Sequence, residues 1–278
     1  MDTNIRICGE AGQGVQTTGN LLIRALAAGG VHVLGSQSYM SRIRGGANSF
    51  DIRVADRELF SPRASADLMI ALTAEALEHF RGGAGGQALI VFDGEGDSNG
   101  ALGLPLTGAA REAGGSALMV NTVAAGAALA LLGYGIDGLK EMLTAQFGKK
   151  GDEVVAANIA CAERGAELVA DRRGSVSAPA AAESFGAVTS GSEAVGLGAA
   201  VSGVKVTASY PMTPSTGVFT FLAQHADEYG IVVEQAEDEI AAINLICGAA
   251  YAGAPAMTTT SGGGFALMGE GLSLAGML

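Results

Sequence analysis

Positive charge is what this chain has least of. Its 278 residues carry 16 lysines and arginines against 28 aspartates and glutamates, a formal net charge of −12. Nucleic acid is thereby disfavoured as a partner, because a phosphate backbone needs a basic face. An anionic membrane surface is disfavoured for the same reason. Cysteine is nearly as scarce: Cys8, Cys161 and Cys247 lie far apart and form no Cys-x-x-Cys pair. That excludes an iron–sulfur cluster or a structural zinc built from this chain alone, and each thiol is expected to be a small buried hydrophobe. No secretory leader is legible, since Asp2 and Arg6 flank the only apolar start, so a reducing cytoplasm is the expected location. Long hydrophobic runs are missing too. A membrane-spanning helix needs about 20 consecutive apolar residues. The charge-free stretch 113–136 is broken by Gly114, Gly115 and Asn121-Thr122; the stretch 240–269 is broken by Asn244, Pro255, a run of threonines and a glycine cluster. Both read as buried α/β elements, and no membrane partner is expected.

What is plentiful points to an α/β fold. Glycine occurs 43 times, 49% of residues are hydrophobic and 16% charged, and tryptophan is absent. Such a composition suits a compact protein of one large or two ordinary domains, with many tight strand-to-helix turns. Residues 5–8 read as a short buried strand and 15–28 as a helix with an apolar stripe at Val15, Leu22, Ala25 and Leu26. A second strand at 31–34 makes a right-handed βαβ unit and hence a parallel sheet. Further strands are expected at 51–54, 68–72, 89–92 and 117–120. Helices follow at 122–132 and 137–147, the latter with Asp137 as N-cap.

The pattern stops at 172–184, a small, polar, proline-containing stretch that reads as an interdomain linker. The expected organisation is a first domain at 1–171, this linker, and a second domain at 185–278. In the second, helix 191–202, strand 204–208, helix 216–228 and strand 231–234 precede a helix opened by Glu239. A strand at 255–259, a glycine turn and a last helix from about Phe265 complete it. The helical pattern is still running at Leu278, which reads as the amino-terminal part of a longer domain.

Between the first strand and its helix lies Gly9-x-x-Gly12-Gln13-Gly14, a phosphate-cradle pattern. Backbone N–H groups and the helix dipole favour an anion there, although a plain tight turn uses the same residues. It is not a G-x-G-x-x-G fingerprint, and the next strand does not end in the acid that would hold an NAD ribose, so NAD-dependent chemistry is a poor fit. Downstream, Arg42 and Arg44 stand beside Gly45 and Gly46 in a chain poor in cations. They suit an anionic ligand or an interface salt bridge equally.

Three short motifs in the second half are better suited to a ligand than to a core: Ser-Tyr-Pro-Met-Thr-Pro-Ser-Thr at 209–216, Glu-Asp-Glu-Ile-Ala-Ala at 237–242, and Thr-Thr-Thr-Ser-Gly-Gly-Gly-Phe at 258–265. Pro211 and Pro214 stiffen the loop around Thr213, pre-positioning its hydroxyl for something polar. Glu237, Asp238 and Glu239 open a helix, where N-terminal capping alone would favour acids. In this order and at these distances, the motifs closely resemble the pyrimidine-binding domain of the 2-oxoacid:ferredoxin oxidoreductases, from about Phe185 onward. Gly263 departs from that pattern, which usually has proline there, and a looser turn is expected. The Gly-Gln-Gly loop and the Arg-Gly-Gly stretch resemble the gamma domain of the same family, across about residues 4–170. A gamma domain fused ahead of an alpha domain is most like the 2-oxoglutarate-type enzymes.

The resemblance implies a gamma-type Rossmann-like parallel-sheet domain followed by the start of a thiamine-diphosphate pyrimidine-binding α/β domain. It implies oxidative decarboxylation of a 2-oxoacid with coenzyme A, giving acyl-CoA and reduced ferredoxin or flavodoxin. Indolepyruvate oxidoreductases share both kinds of domain. A non-catalytic subunit binding coenzyme A or a nucleotide is the reading from another class. By the match, Glu239 hydrogen-bonds the cofactor's aminopyrimidine ring and promotes its imino tautomer, Thr213 meets the substrate carboxylate, and Tyr210 and Pro211 line the cofactor site. Gly12, Gln13, Gly14 and Arg44 are the expected contacts for coenzyme A. The pyrophosphate, Mg2+ and iron–sulfur clusters would belong to partner chains, with a beta subunit completing a hetero-oligomer that is inactive without it. An acidic ferredoxin would be repelled by a −12 surface and should dock on another chain.

Overall fold

The computed structural model describes residues 1–10, 12–38, 46–182 and 187–278. It divides into two compact units, Met1–Val188 and Thr189–Leu278. The first opens with strand β1 (Asp2–Glu10), helix α1 (Val15–Ala28), and strands β2 (His32–Ser38), β3 (Ala47–Ala55) and β4 (Ala66–Ala71). Helix α2 (Ala74–Phe80), strands β5 (Ala84–Asp93) and β6 (Ala101–Leu104), and helices α3 (Leu106–Gly114), α4 (Val120–Leu131), α5 (Asp137–Phe147) and α6 (Asp152–Leu168) follow.

The sheet runs β2-β3-β1-β4-β5-β6. Strands β1, β4, β5 and β6 are parallel, as the βαβ reading requires, but β3 is antiparallel to both β1 and β2. The expected all-parallel sheet is therefore mixed: β3 fills the place between β1 and β2, so those two strands share no ladder. Alternation along β4 sorts side chains between the faces. Leu68, Ile70 and Leu72 join the main core under the helices, while Met69 and Ala71 pack with Cys8, Ala76 and Leu77 on the other side.

Helix α4 is the centre of the main core, with every residue buried but Asn121. It lies close against α6 through two glycines. A Cβ at Gly126 would run into the Ala162 carbonyl oxygen, and one at Gly165 into that of Val123. The inward face of α6 is small and polar: Asn158, Cys161, Ala162 and Gly165. The Thr122 hydroxyl donates to Asn158 Oδ1 across the contact at 3.0 Å.

Two sequence expectations are corrected here. Residues 117–120 form no strand: the Ser116 hydroxyl accepts the Leu118 N–H at 3.2 Å, and a 3-10 turn at Ala117–Met119 leads straight into α4. Asp137 does not cap α5 but lies in its first turn, with Ile136 at the N-cap position; the dipole still favours an acid there. Among its described residues the stretch read as a linker has no regular element after a 3-10 turn at Ala170–Arg172, and up to Ala182 it is fastened to the first unit. The N–H groups of Gly174 and Val176 donate to the carbonyls of Ala130 and Leu131, that of Ala182 to Gly29, and the Thr3 and Tyr134 hydroxyls to Ser177 and Pro179. All three cysteines are free and buried. Burial pushes the Cys8 thiol up to about 12 despite Arg6 nearby.

The second unit comprises α7 (Gly191–Val201), β7 (Val206–Ser209), α8 (Thr216–Gln224), α9 (Ala226–Tyr229), β8 (Val232–Gln235), α10 (Glu239–Tyr251), β9 (Ala256–Met257), α11 (Gly262–Leu267) and α12 (Gly269–Ala275). The single helix expected at 216–228 is interrupted at His225. Its three strands are parallel, in the order β8-β7-β9. Among the described residues, no single helix is long and apolar enough to cross a membrane.

Candidate functional site

Each of the three motifs leaves the carboxyl end of a strand in the second sheet. From the central β7 the chain passes to β8 on one side and then returns across β7 to β9 on the other. Such a reversal of direction is where open α/β sheets bind ligands, in the loops beyond the carboxyl ends of their strands. Ser209, the last residue of β7, ties the neighbouring loops to that edge. Its hydroxyl accepts the Thr259 N–H at 3.0 Å and lies 3.2 Å from the Thr259 hydroxyl, while its carbonyl accepts the Ala236 N–H at 3.1 Å.

The acid cluster divides by role. Asp238 is the N-cap of α10, its carboxylate accepting the Ala241 N–H at 2.7 Å, and Glu237 is exposed just before it. Capping therefore accounts for Asp238. It does not account for Glu239, which is 4% exposed and whose Oε1 is buried without a hydrogen-bond partner. An unsatisfied buried polar atom costs on the order of 1–3 kcal/mol, more when charged.

Above Glu239 lies the glycine motif, and here the helix begins at Gly262 rather than near Phe265. Gly262, Gly263 and Gly264 form the first turn of α11, behind Ser261. Gly263 has open space where a Cβ would stand, but a Cβ at Gly264 would collide with the Thr260 hydroxyl and stand 2.6 Å from Glu239 Oε1. Thr258 Oγ1 and Thr260 Oγ1 are, like Glu239 Oε1, buried and unpartnered. The threonine run is legible as a motif, and the signal for Thr260 within it is a strand ending in consecutive hydroxyls before glycines.

The donors and acceptors gathered here are one carboxylate and neutral hydroxyls. They fit an uncharged, N–H-bearing ring such as an aminopyrimidine, and they do not fit a phosphate. The proline loop shares the same sheet edge. Thr213 is exposed, Pro211 half-buried and Tyr210 37% exposed, and the Ser215 N–H and hydroxyl both donate to the Met212 carbonyl at 2.8 Å. Among the described residues, no hydrogen bond joins Thr213, Tyr210 or Pro211 to Glu239.

In the first unit, Gly12 (φ 93°) and Gly14 (φ 76°) both take the left-handed conformation that favours glycine, and Gly14 is the N-cap of α1 with no side-chain cap. Gln13 is turned inward: its Oε1 accepts the Glu10 N–H at 2.7 Å. Arg42 and Arg44 lie outside the described residues. Among the described residues, no group of His, Cys, Asp and Glu could hold a metal ion.

Fold and site define a class: α/β proteins that present a buried acid at the carboxyl edge of a parallel sheet. Residues 4–168 match the family model described as pyruvate ferredoxin/flavodoxin oxidoreductase, and residues 198–278 match that of its thiamine diphosphate-binding portion. The chain belongs to the pyruvate ferredoxin/flavodoxin oxidoreductase family, bearing out the resemblance of its motifs. It is 28% identical to subunit alpha of 2-oxoacid:ferredoxin oxidoreductase 2 of Aeropyrum pernix, over 99% of this chain and 53% of that one. It is 31% identical to 2-oxoglutarate synthase subunit KorC of Archaeoglobus fulgidus, over 57% of this chain and 86% of the relative. Among solved structures, a 2-oxoglutarate:ferredoxin oxidoreductase from Magnetococcus marinus, with 2-oxoglutarate, coenzyme A and succinyl-CoA bound, matches 96% of this chain and 49% of its own. Its TM-score is 0.86 and its identity 33%. The chain thus spans about half the length of relatives that it matches end to end.

Proposed function

We propose that this chain is the gamma–alpha part of a 2-oxoacid:ferredoxin or flavodoxin oxidoreductase subunit, with residues 1–171 the gamma domain, 172–184 the connection and 185–278 the start of the pyrimidine-binding domain. The observation that carries the reading is Glu239, a buried carboxylate with an unpartnered oxygen beneath Gly264. In this reading its carboxyl group shares a proton with a ring nitrogen of the aminopyrimidine of thiamine diphosphate and so promotes the imino tautomer, with Tyr210 and Pro211 beside it. When bound, thiamine diphosphate supplies the carbon nucleophile for the 2-oxo carbon. The Thr213 hydroxyl donates to the substrate carboxylate. A beta chain carries the pyrophosphate and Mg2+ site, and iron–sulfur clusters on partner chains pass electrons to the acceptor. The favoured substrates are 2-oxoglutarate and coenzyme A, in line with the Magnetococcus marinus enzyme.

The full-length subunit assembled with its beta chain should reduce a one-electron dye only when thiamine diphosphate, a 2-oxoacid and coenzyme A are all present. Dye reduction that ignores the 2-oxoacid, or none at all from a correctly assembled complex, would reject the enzyme reading in favour of a non-catalytic subunit. In the same complex, Thr213→Val should lower kcat/KM for the 2-oxoacid by roughly 5- to 150-fold, the worth of one hydrogen bond to a charged acceptor. Thiamine diphosphate affinity should hold; an equal loss of both would mean that the loop itself had shifted.

In this proposal the Gly12–Gln13–Gly14 loop and Arg44 hold the phosphates of coenzyme A, through backbone N–H groups at the start of α1 and one guanidinium. Calorimetry on the assembled complex should show coenzyme A binding that weakens with added salt and with Arg44→Ala. Binding indifferent to both would leave the arginine an interface role.

A further inference from the structure

Two of the unpartnered buried oxygens converge on one point. The place where Gly264 lacks a Cβ is flanked by Thr260 Oγ1 and Glu239 Oε1, and in this structure neither oxygen has a hydrogen-bond partner, the other included. One is a hydroxyl with a proton to give; the other, when ionised, can only accept. Sealed from water, each carries the cost of an unmade hydrogen bond, and each is the neighbour that would relieve the other.

We propose that Thr260 is the positioning residue for Glu239: its hydroxyl donates to the carboxylate and holds it in the orientation that meets the cofactor ring. The proposal rests on the reading of Glu239 as the ring's hydrogen-bond partner. A carboxyl group has room for several partners, so a bond from Thr260 leaves it free to meet the cofactor ring. A threonine on the segment after β9 is suited to the task. Its χ1 is restricted by branching, and its backbone is pinned beside it through the Thr259 N–H bond to Ser209. Gly264 is the complement, since any side chain there would separate the two oxygens.

The test compares Thr260→Val, which keeps the shape and removes the donor, with Thr260→Ser, which keeps the donor. Isotope-edited infrared spectroscopy of the cofactor-free full-length protein isolates the Glu239 carboxylate band as the one lost in Glu239→Gln. Thr260→Val should move that band toward the frequency of a carboxylate free of hydrogen bonds and weaken thiamine diphosphate binding in the assembled complex about 10-fold, while Thr260→Ser restores both. A merely structural role would lower Tm and leave the band in place. An unmoved band in Thr260→Val, alongside a strong defect in Glu239→Gln, overturns the Thr260 assignment alone. Unchanged thiamine diphosphate binding and turnover in Glu239→Gln would overturn the underlying reading as well.

Discussion

Glu239→Gln in the assembled complex is expected to slow the thiamine-dependent step at least about 10²-fold, the scale of a positioned proton transfer. Glutamine preserves the volume at the start of α10, so packing among Ala242, Ile243 and Met268 should survive. What is lost is the carboxyl group, which in this reading exchanges a proton with a ring nitrogen. The helix cap is independent, because Asp238 supplies it. Tm should therefore be unchanged or higher, the variant no longer burying a carboxylate with an unpartnered oxygen. Activity near that of the parent enzyme would refute the assignment of Glu239.

The second large effect concerns stability. Gly165→Ala should destabilise the first unit by about 3 kcal/mol, on the order of 6–12 °C in Tm, because overpacking here meets a backbone that cannot rotate aside. The new methyl would strike the Val123 carbonyl and approach the Ala127 nitrogen at 3.0 Å, so α4 and α6 would have to part. Gly148→Ala is the control: Gly148 has φ −53° and ψ −36°, and no atom lies within 4 Å of the added methyl. That variant should match or slightly exceed the parent. Equal Tm values for the two variants would show that the helix contact is not tight.

Much of this was legible in the sequence, and what was not has identifiable causes. The stripe of Val15, Leu22, Ala25 and Leu26 is buried along α1, and Glu239 does open a helix after a strand. Helix α6 was invisible because its inner face is Asn158, Cys161, Ala162 and Gly165; a face built of small and polar residues leaves no hydrophobic period. The apolar run Ala117–Val120 resembled a strand since short apolar runs do not distinguish strand from helix, and the Ser116 turn decided it locally. The direction of β3 could not be read, because side-chain alternation is the same in parallel and antiparallel pairing. Thr260 gains meaning only once Gly264 folds over Glu239, a juxtaposition that no local spacing encodes.

The insertion of β3 also bears on how the chain is made. During synthesis β1, α1 and β2 leave the ribosome before β3, yet β1 and β2 hold no hydrogen bonds in common. Nine residues of β3, Ala47–Ala55, must arrive and enter between them before either ladder closes. A self-sufficient βαβ nucleus of β1, α1 and β2 is thus denied to the nascent protein, and their part of the sheet is ordered only once β3 has been translated.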